Sequence, residues 1–181
     1  MAQFTKKAIT DTFIALLNEK RLDRITVKDI VAKCGVSRKT FYYYFDDIYD
    51  LLEKLLEDMK QNSVSRITDT ASLEAEFSKL AEFVKNNKKA VQHIYNSDFR
   101  EKLEDYLYES ALPVFGETLH KKLDGSRYSK EDIDILTVAC ANAFTGCAMR
   151  WIKSGMKADF EYLLKRTSDL FEDSLKNAFD K

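Results

Sequence analysis

The sequence predicts an all-α protein: an N-terminal three-helix helix-turn-helix head joined to a larger helical body, with about nine helices in all. Three observations carry that expectation. One proline and five glycines in 181 residues leave few chain breaks, whereas a sandwich or barrel needs turn residues at short intervals. Apolar residues recur at helical spacing along most of the chain. Ser, Thr and Asp stand just ahead of several of these runs, where helix N-termini need a cap. With 45% hydrophobic and 33% charged residues, the chain can fill a core and is not of the disordered class.

Phe4, Ile9, Phe13, Leu16 and Leu17 form the apolar side of a first helix over 4–20. Thr26 caps a second helix, with Asp29 three residues on as a capping-box partner. Ile30 and Val31 continue its apolar face to Cys34, and Gly35 suits the left-handed position that ends a helix. Ala32 is expected where the second and third helices approach closely. Ser37 caps a short third helix ending near Tyr44. Asp46 and Asp47 cap a fourth, 48–66, which links a head of residues 1–47 to a body of 48–181.

In the body, helices are expected at 72–86 and 88–95, and from a Ser97 cap to Leu123 with a kink or break at Pro113. A loop follows at 125–128. A Ser129–Asp132 cap then starts a helix over 130–154 that stops at Gly155. A last amphipathic helix covers 158–179, with Phe160, Leu163, Leu164, Leu170, Phe171, Leu175 and Ala178 on one side.

The net charge is −1, but it is unevenly spread. Residues 1–45 hold nine Lys/Arg against four acids, about +5 in net charge. A basic head on an acidic body points to an anionic partner. Within that head lies CGVSRKTFYYYF, residues 34–45. At 100° per residue Phe41, Tyr44, Phe45 and Ile48 share one helix face and should pack inward. Arg38, Lys39, Tyr42 and Tyr43 fall on the other side. With the hydroxyls of Ser37 and Thr40, these are donors for phosphates and base edges. Helix N-termini at Thr26 and Ser37 add backbone N–H groups that favour phosphate.

The stretch TVKDIVAKCGVSRKTFYYYFDDIYDLL, residues 26–52, resembles the DNA-binding signature of the TetR family of transcriptional regulators. Thr26, Ile30, Gly35, Val36, Ser37, Thr40, Tyr42, Tyr44 and Phe45 occupy the family's pattern positions. The resemblance implies that Arg38, Lys39, Thr40, Tyr42 and Tyr43 face double-stranded DNA, with Thr26, Lys28 and Ser37 on the backbone. It also implies a homodimer through the last two helices, a head that reads a two-fold symmetric site, and a small-molecule effector or protein co-regulator acting on the body. The segment GCAMRWIKSGMKADFEYLLK and the DIYDLL run are similar to the subgroup that includes a regulator of dihydroxyacetone kinase. One departure stands out. Where many members carry a phosphate-contacting lysine early in the fourth helix, this chain has Ile48 after Asp46 and Asp47. That departure sustains an alternative reading, an all-α interaction module whose head no longer binds DNA.

Ligand-binding candidates in the body are aromatic or polar residues on apolar faces: Tyr95, Phe99, Tyr106, Phe115, Phe144, Cys147 and Trp151. Ordinary core packing explains each one singly. No cofactor, metal or catalytic function is expected. His93 and His120 stand apart, and no phosphate-cradling glycine loop or nucleophile elbow occurs. Cys140 and Cys147 lie seven residues apart on one helix face, and buried free thiols are the simplest reading. Three cysteines without framework spacing suit a reduced cytoplasmic protein. The N-terminus reads as no signal peptide, no apolar run is expected to reach the length of a membrane span, and no membrane partner is expected. The helix over 130–154 is apolar almost all round and is expected to be buried on every side.

Overall fold

A computed structural model describes residues 2–64, 82–123 and 128–159, together with 79, 162 and 166. The described chain contains seven α-helices and a 3-10 turn: α1 Ala2–Glu19, the turn Leu22–Arg24, α2 Val27–Cys34, α3 Arg38–Tyr44, α4 Ile48–Val64, α5 Lys88–Tyr95, α6 Arg100–Leu123 and α7 Lys130–Lys153. Residues 82–86 are also helical. Most of the helix expected over 72–86, most of the loop at 125–128 and nearly all of the last helix over 158–179 lie outside the described residues.

Local chemistry sets the head's boundaries. Thr26 and Asp29 form a full capping box: the Asp29 N–H donates to Thr26 Oγ1 at 3.2 Å, and Asp29 Oδ2 accepts the Thr26 N–H at 2.9 Å. Gly35 ends α2 with φ 74°, a left-handed conformation that costs glycine little. Asp47 begins α4 by accepting the Asp50 N–H at 2.8 Å. Asp50 in turn accepts the Asp46 N–H at 2.8 Å.

Ile9, Phe13, Leu17, Ile30, Phe41, Phe45, Leu51 and Leu52 are almost fully buried. This core runs without a break into Ala90, Ile94, Phe99, Leu103, Met149, Ile152 and Met156 of the body. The head therefore rests on the body through α1 and α4. In the body α6 and α7 form an antiparallel pair. Leu119 and Leu123 meet Ile133 at one end, and Ala111 meets Ala141 and Phe144 further along.

Several expectations are corrected. Phe4 is 81% exposed and belongs to no core face. Ala32 is exposed, because α2 packs through Ile30, with Val27, Val31 and Cys34 beside it. Helix α6 begins at Arg100 and not straight after Ser97, whose hydroxyl accepts the Phe99 N–H at 3.2 Å and donates to Ile94 O at 2.7 Å in the preceding turn. The helix runs unbroken through Pro113. Helix α7 is not buried on every side: Ile135 and Val138 are 63% and 44% exposed, and Ala139, Asn142, Ala143, Gly146 and Cys147 are exposed with them. By length and mean hydropathy alone α7 also reaches the range of a membrane span. Its other face, Ile133, Thr137, Ala141, Phe144, Ala148 and Ile152, is a packed protein core.

Asp29 ties the start of α2 to α1 as well. Lys20 Nζ lies 2.9 Å from Asp29 Oδ2. The Lys20 ammonium first, and then the Thr26 hydroxyl and N–H, lower the Asp29 pKa from 3.8 to about 2. A carboxyl depressed on folding stabilises above its unfolded pKa and loses that effect as pH falls through its folded one. The wild-type chain should therefore lose stability between about pH 4 and pH 2. Urea melts of Asp29→Asn over that range should show a flatter acid limb; an unchanged limb would mean that Asp29 does not titrate as described.

Candidate nucleic-acid interface

The aromatic run divides as helical geometry requires. Phe41 and Phe45 are 0% and 1% exposed, with ring centroids 5.6 Å apart, while Tyr42 and Tyr43 are 55% and 78% exposed. The exposed rings are braced edge-on, Tyr42 on Phe41 at 5.5 Å and Tyr43 on Tyr44 at 4.8 Å. Tyr44 is half-buried and packs against the head core. The run thus anchors α3 with one side and offers two phenol hydroxyls with the other.

Six of the head's nine cations are matched to carboxylates. Lys6 pairs with Asp58, Lys7 with Asp11, Lys20 with Asp29, and Lys33 with Glu19, while Arg21 and Arg24 flank Asp23. Lys28, Arg38 and Lys39 make no ion pair or side-chain hydrogen bond with the described residues, and all three are exposed. Positive charge left unneutralised is what an external anion meets, because paired cations already have their counterion. These three lie in the first turns of α2 and α3, with Tyr42 and Tyr43 further along α3.

The hydroxyl-bearing candidates differ in what they have to give. Thr26 Oγ1 donates to Asp29 Oδ2 at 2.7 Å, so its proton is engaged inside the capping box. At this end of α2 the first backbone N–H groups, which lack intrahelical partners, are the better phosphate donors. Ser37 Oγ accepts the Thr40 N–H at 3.0 Å and lies 2.8 Å from Thr40 Oγ1. That pair holds two hydroxyl protons and uses one between its members, leaving one to donate outward.

Packing accounts for the isoleucine at position 48. Ile48 is 9% exposed and belongs to the core that holds α4 to the head. Asp47 is the cap of α4, and Asp50 is held by Lys54 Nζ at 2.8 Å. Lys54 also donates to Tyr44 O at 3.1 Å, at the C-terminus of α3, and lies 5.7 Å from the Phe45 ring centroid. The spacing Asp50–Lys54 was a visible i,i+4 pair, yet its reach back to α3 has no sequence signal.

The body candidates do not converge on one site. Tyr106, Phe144 and Trp151 line an apolar cavity of about 90 Å³. Phe99 stacks on Tyr49 at 6.2 Å and faces an outer groove between α4 and α6, which Tyr106 also reaches. Tyr95 is buried, with the Arg100 guanidinium 4.7 Å from its ring. Phe115 packs on Phe144 at 6.2 Å, and Cys147 is exposed on the outer side of α7. Burial pushes the Cys140 thiol up. The cavity's remaining wall, including Leu55, Met59 and Val91, carries no sequence signal beyond ordinary helical periodicity.

Comparison with known proteins agrees with the geometry of both halves. Residues 9–55 match the family described as bacterial regulatory proteins, tetR family. Residues 71–173 match a TetR C-terminal family described as a transcriptional regulator C-terminal region. The uncharacterized HTH-type transcriptional regulator YxbF of Bacillus subtilis is 31% identical over 72 residues, 40% of this chain and 19% of that protein. The chain thus spans less than a third of the length of the curated relatives it matches. Among solved structures, the dihydroxyacetone kinase operon activator DhaS superposes with a TM-score of 0.81 at 21% identity, covering 95% of this chain and 96% of that one, a likeness of fold. A TetR transcriptional regulator from Streptococcus agalactiae gives a TM-score of 0.59 at 26% identity, covering 91% and 92%. With a capped helix-turn-helix, a basic aromatic third helix and family matches over both halves, this chain belongs to the TetR family of bacterial transcriptional regulators.

Proposed function

We propose that the chain is a sequence-specific, DNA-binding transcriptional regulator that acts in the cytoplasm as a homodimer on an inverted-repeat operator. The observation that carries this reading is the face shared by Lys28, Arg38, Lys39, Tyr42 and Tyr43. It gathers the head cations that find no carboxylate among the described residues beside two exposed phenols. Arg38 and Lys39 at the start of α3 serve base edges, and Tyr42, Tyr43, Lys28 and the Ser37–Thr40 hydroxyls serve phosphates. Selection of oligonucleotides from a random pool tests it. The expected product is a palindrome bound with an affinity that falls steeply with salt. Recovery of unrelated sequences would overturn the regulator reading and leave the interaction module in its place.

The exposed stripe of α7 supports the dimer. Ile135, Val138, Ala139, Asn142, Ala143 and Gly146 recur at helical spacing, and small residues let a second helix approach closely. Self-association then gives the two-fold that an inverted repeat requires. Ile135→Glu places a charge on a side chain that is 63% exposed in the single chain. It should yield a folded monomer by analytical ultracentrifugation with helical circular dichroism unchanged. A variant that remains dimeric would place the interface elsewhere.

A further inference from the structure

The cavity lies at the seam between head and body. Ile14 and Leu17 of α1 and Leu52 of α4 form one side, while Asn87, Ala90 and Ile94 at α5 form another. Among the described residues its lining is almost wholly hydrocarbon, with the Tyr106 phenol as the one ionisable side chain. Burial raises the pKa of that phenol and keeps it neutral. Leu56 and Tyr106 line both this cavity and the open α4–α6 groove of about 430 Å³ outside it. They are the partition between solvent and cavity, and so mark a way in. The groove is lined by Asp50, Glu53, Glu57, Asp105 and Glu109 against Lys54, Lys60 and Lys102. Each lysine is already paired with an acid there. Among the described residues the approach is net negative and the interior offers no counterion, so both select against an anion.

The same seam carries a polar latch. Asn18 Nδ2 of α1 donates to Asn87 Oδ1 at 2.8 Å, and Asn18 Oδ1 accepts the Ala90 N–H at 3.2 Å. His93 Nδ1 donates to Leu17 O at 2.7 Å. Asn87 makes no side-chain cap to its own helix. Ala90 N–H is one of the first-turn groups of α5 without an intrahelical acceptor, so Asn18 caps α5 from another helix. Leu17, Asn87 and Ala90, which make these bonds, also line the cavity. About 90 Å³ is well below the 300–1,000 Å³ typical of small-molecule sites. A ligand longer than a few carbons must therefore part a wall. The walls at α4, α6 and α7 interlock through leucines and aromatics, whereas the latch bonds exchange with water at small net cost.

We propose that this cavity takes a neutral, largely hydrocarbon effector, admitted past Leu56 and Tyr106 from the α4–α6 groove, and that filling it opens the α1–α5 latch of Asn18, Asn87 and His93. The proposal rests on the reading of the body as the sensing half and names the ligand class and the point of transmission. Its readout contains no DNA, so its failure is separable from failure of the DNA-binding reading.

The full chain is titrated with 1-hexanol and with hexanoate at pH 7, following the methyl resonances of Leu52 and Leu103 and the hydrogen exchange of the Ala90 amide. Hexanol should shift both methyls saturably and speed Ala90 exchange by at least roughly tenfold, while hexanoate does neither. Asn18→Ala should speed Ala90 exchange without any probe and raise hexanol affinity by roughly 5- to 150-fold, the worth of the two latch hydrogen bonds it removes. Should that variant not fold, His93→Phe, which removes the bond to Leu17 O, should raise hexanol affinity in the same direction. Saturable hexanol binding with Ala90 exchange unchanged overturns the latch. Equal binding of hexanoate overturns the ligand class. Absence of any methyl shift overturns the site and leaves a protein co-regulator as the body's partner.

Discussion

Arg38→Ala should weaken binding to the selected palindrome by roughly 5- to 150-fold per head, the range lost with one good bidentate base contact. Arg38 stands in the first turn of α3, exposed and without a carboxylate partner among the described residues. Its removal therefore breaks nothing inside the protein, and the loss should appear in DNA affinity with thermal stability unchanged. The fingerprint is loss of discrimination at one position of each half-site. Lys28→Ala, at the phosphate backbone, provides the contrast: a more uniform loss over all sequences and a salt slope reduced by about 1. Tyr42→Phe removes only a hydroxyl and should weaken binding modestly. If Tyr42→Phe leaves affinity untouched, its phenol does not reach a phosphate. If Arg38→Ala leaves both affinity and half-site preference unchanged, α3 is not the reading helix.

Phe41→Ala should cost about 3–5 kcal/mol of stability, the range for truncating a fully buried phenylalanine. Phe41 is 0% exposed and packs on Phe45, in the core shared with Ile9, Phe13 and Leu51. Against a total stability of about 5–15 kcal/mol, this is a large fraction of the whole margin. Urea denaturation should show a markedly lower midpoint with little change in slope. Tyr43→Ala, two residues on, should stay within about 0.5 kcal/mol because its ring is 78% exposed. It should lose DNA affinity instead. A small effect at Phe41, or a large stability effect at Tyr43, would reverse the assignment of the two faces.

How legible the head was follows from the kind of interaction that builds it. Thr26, Gly35, Ser37 and Asp47 act on backbone groups within a few residues of themselves. Periodicity likewise sorted Phe41 and Phe45 from Tyr42 and Tyr43. Local pattern misled where a residue has more than one place to go. Phe4 has helical spacing but lies beyond the reach of the core, and Ala32 is small without being at a contact. Pro113 leaves α6 unbroken because burial of Ala111 and Val114 on either side holds the helix together. The apolar circumference of α7 signalled burial, yet one side remains open in the single chain, since composition cannot say whether a neighbouring helix or a second copy covers a face.

By itself the sequence determined the helices of the head and the caps at Thr26, Ser37 and Asp47, the two faces of α3 and the family, because each depends on residues close together in the chain. Tertiary structure alone decided which of the head's cations find a carboxylate among the described residues, and that Asn18 caps a helix roughly seventy positions away. The reason is physical. An ion pair such as Lys6–Asp58 or a cap such as Asn18–Ala90 requires two distant segments to be brought within about 3 Å. No spacing rule along a chain encodes that distance.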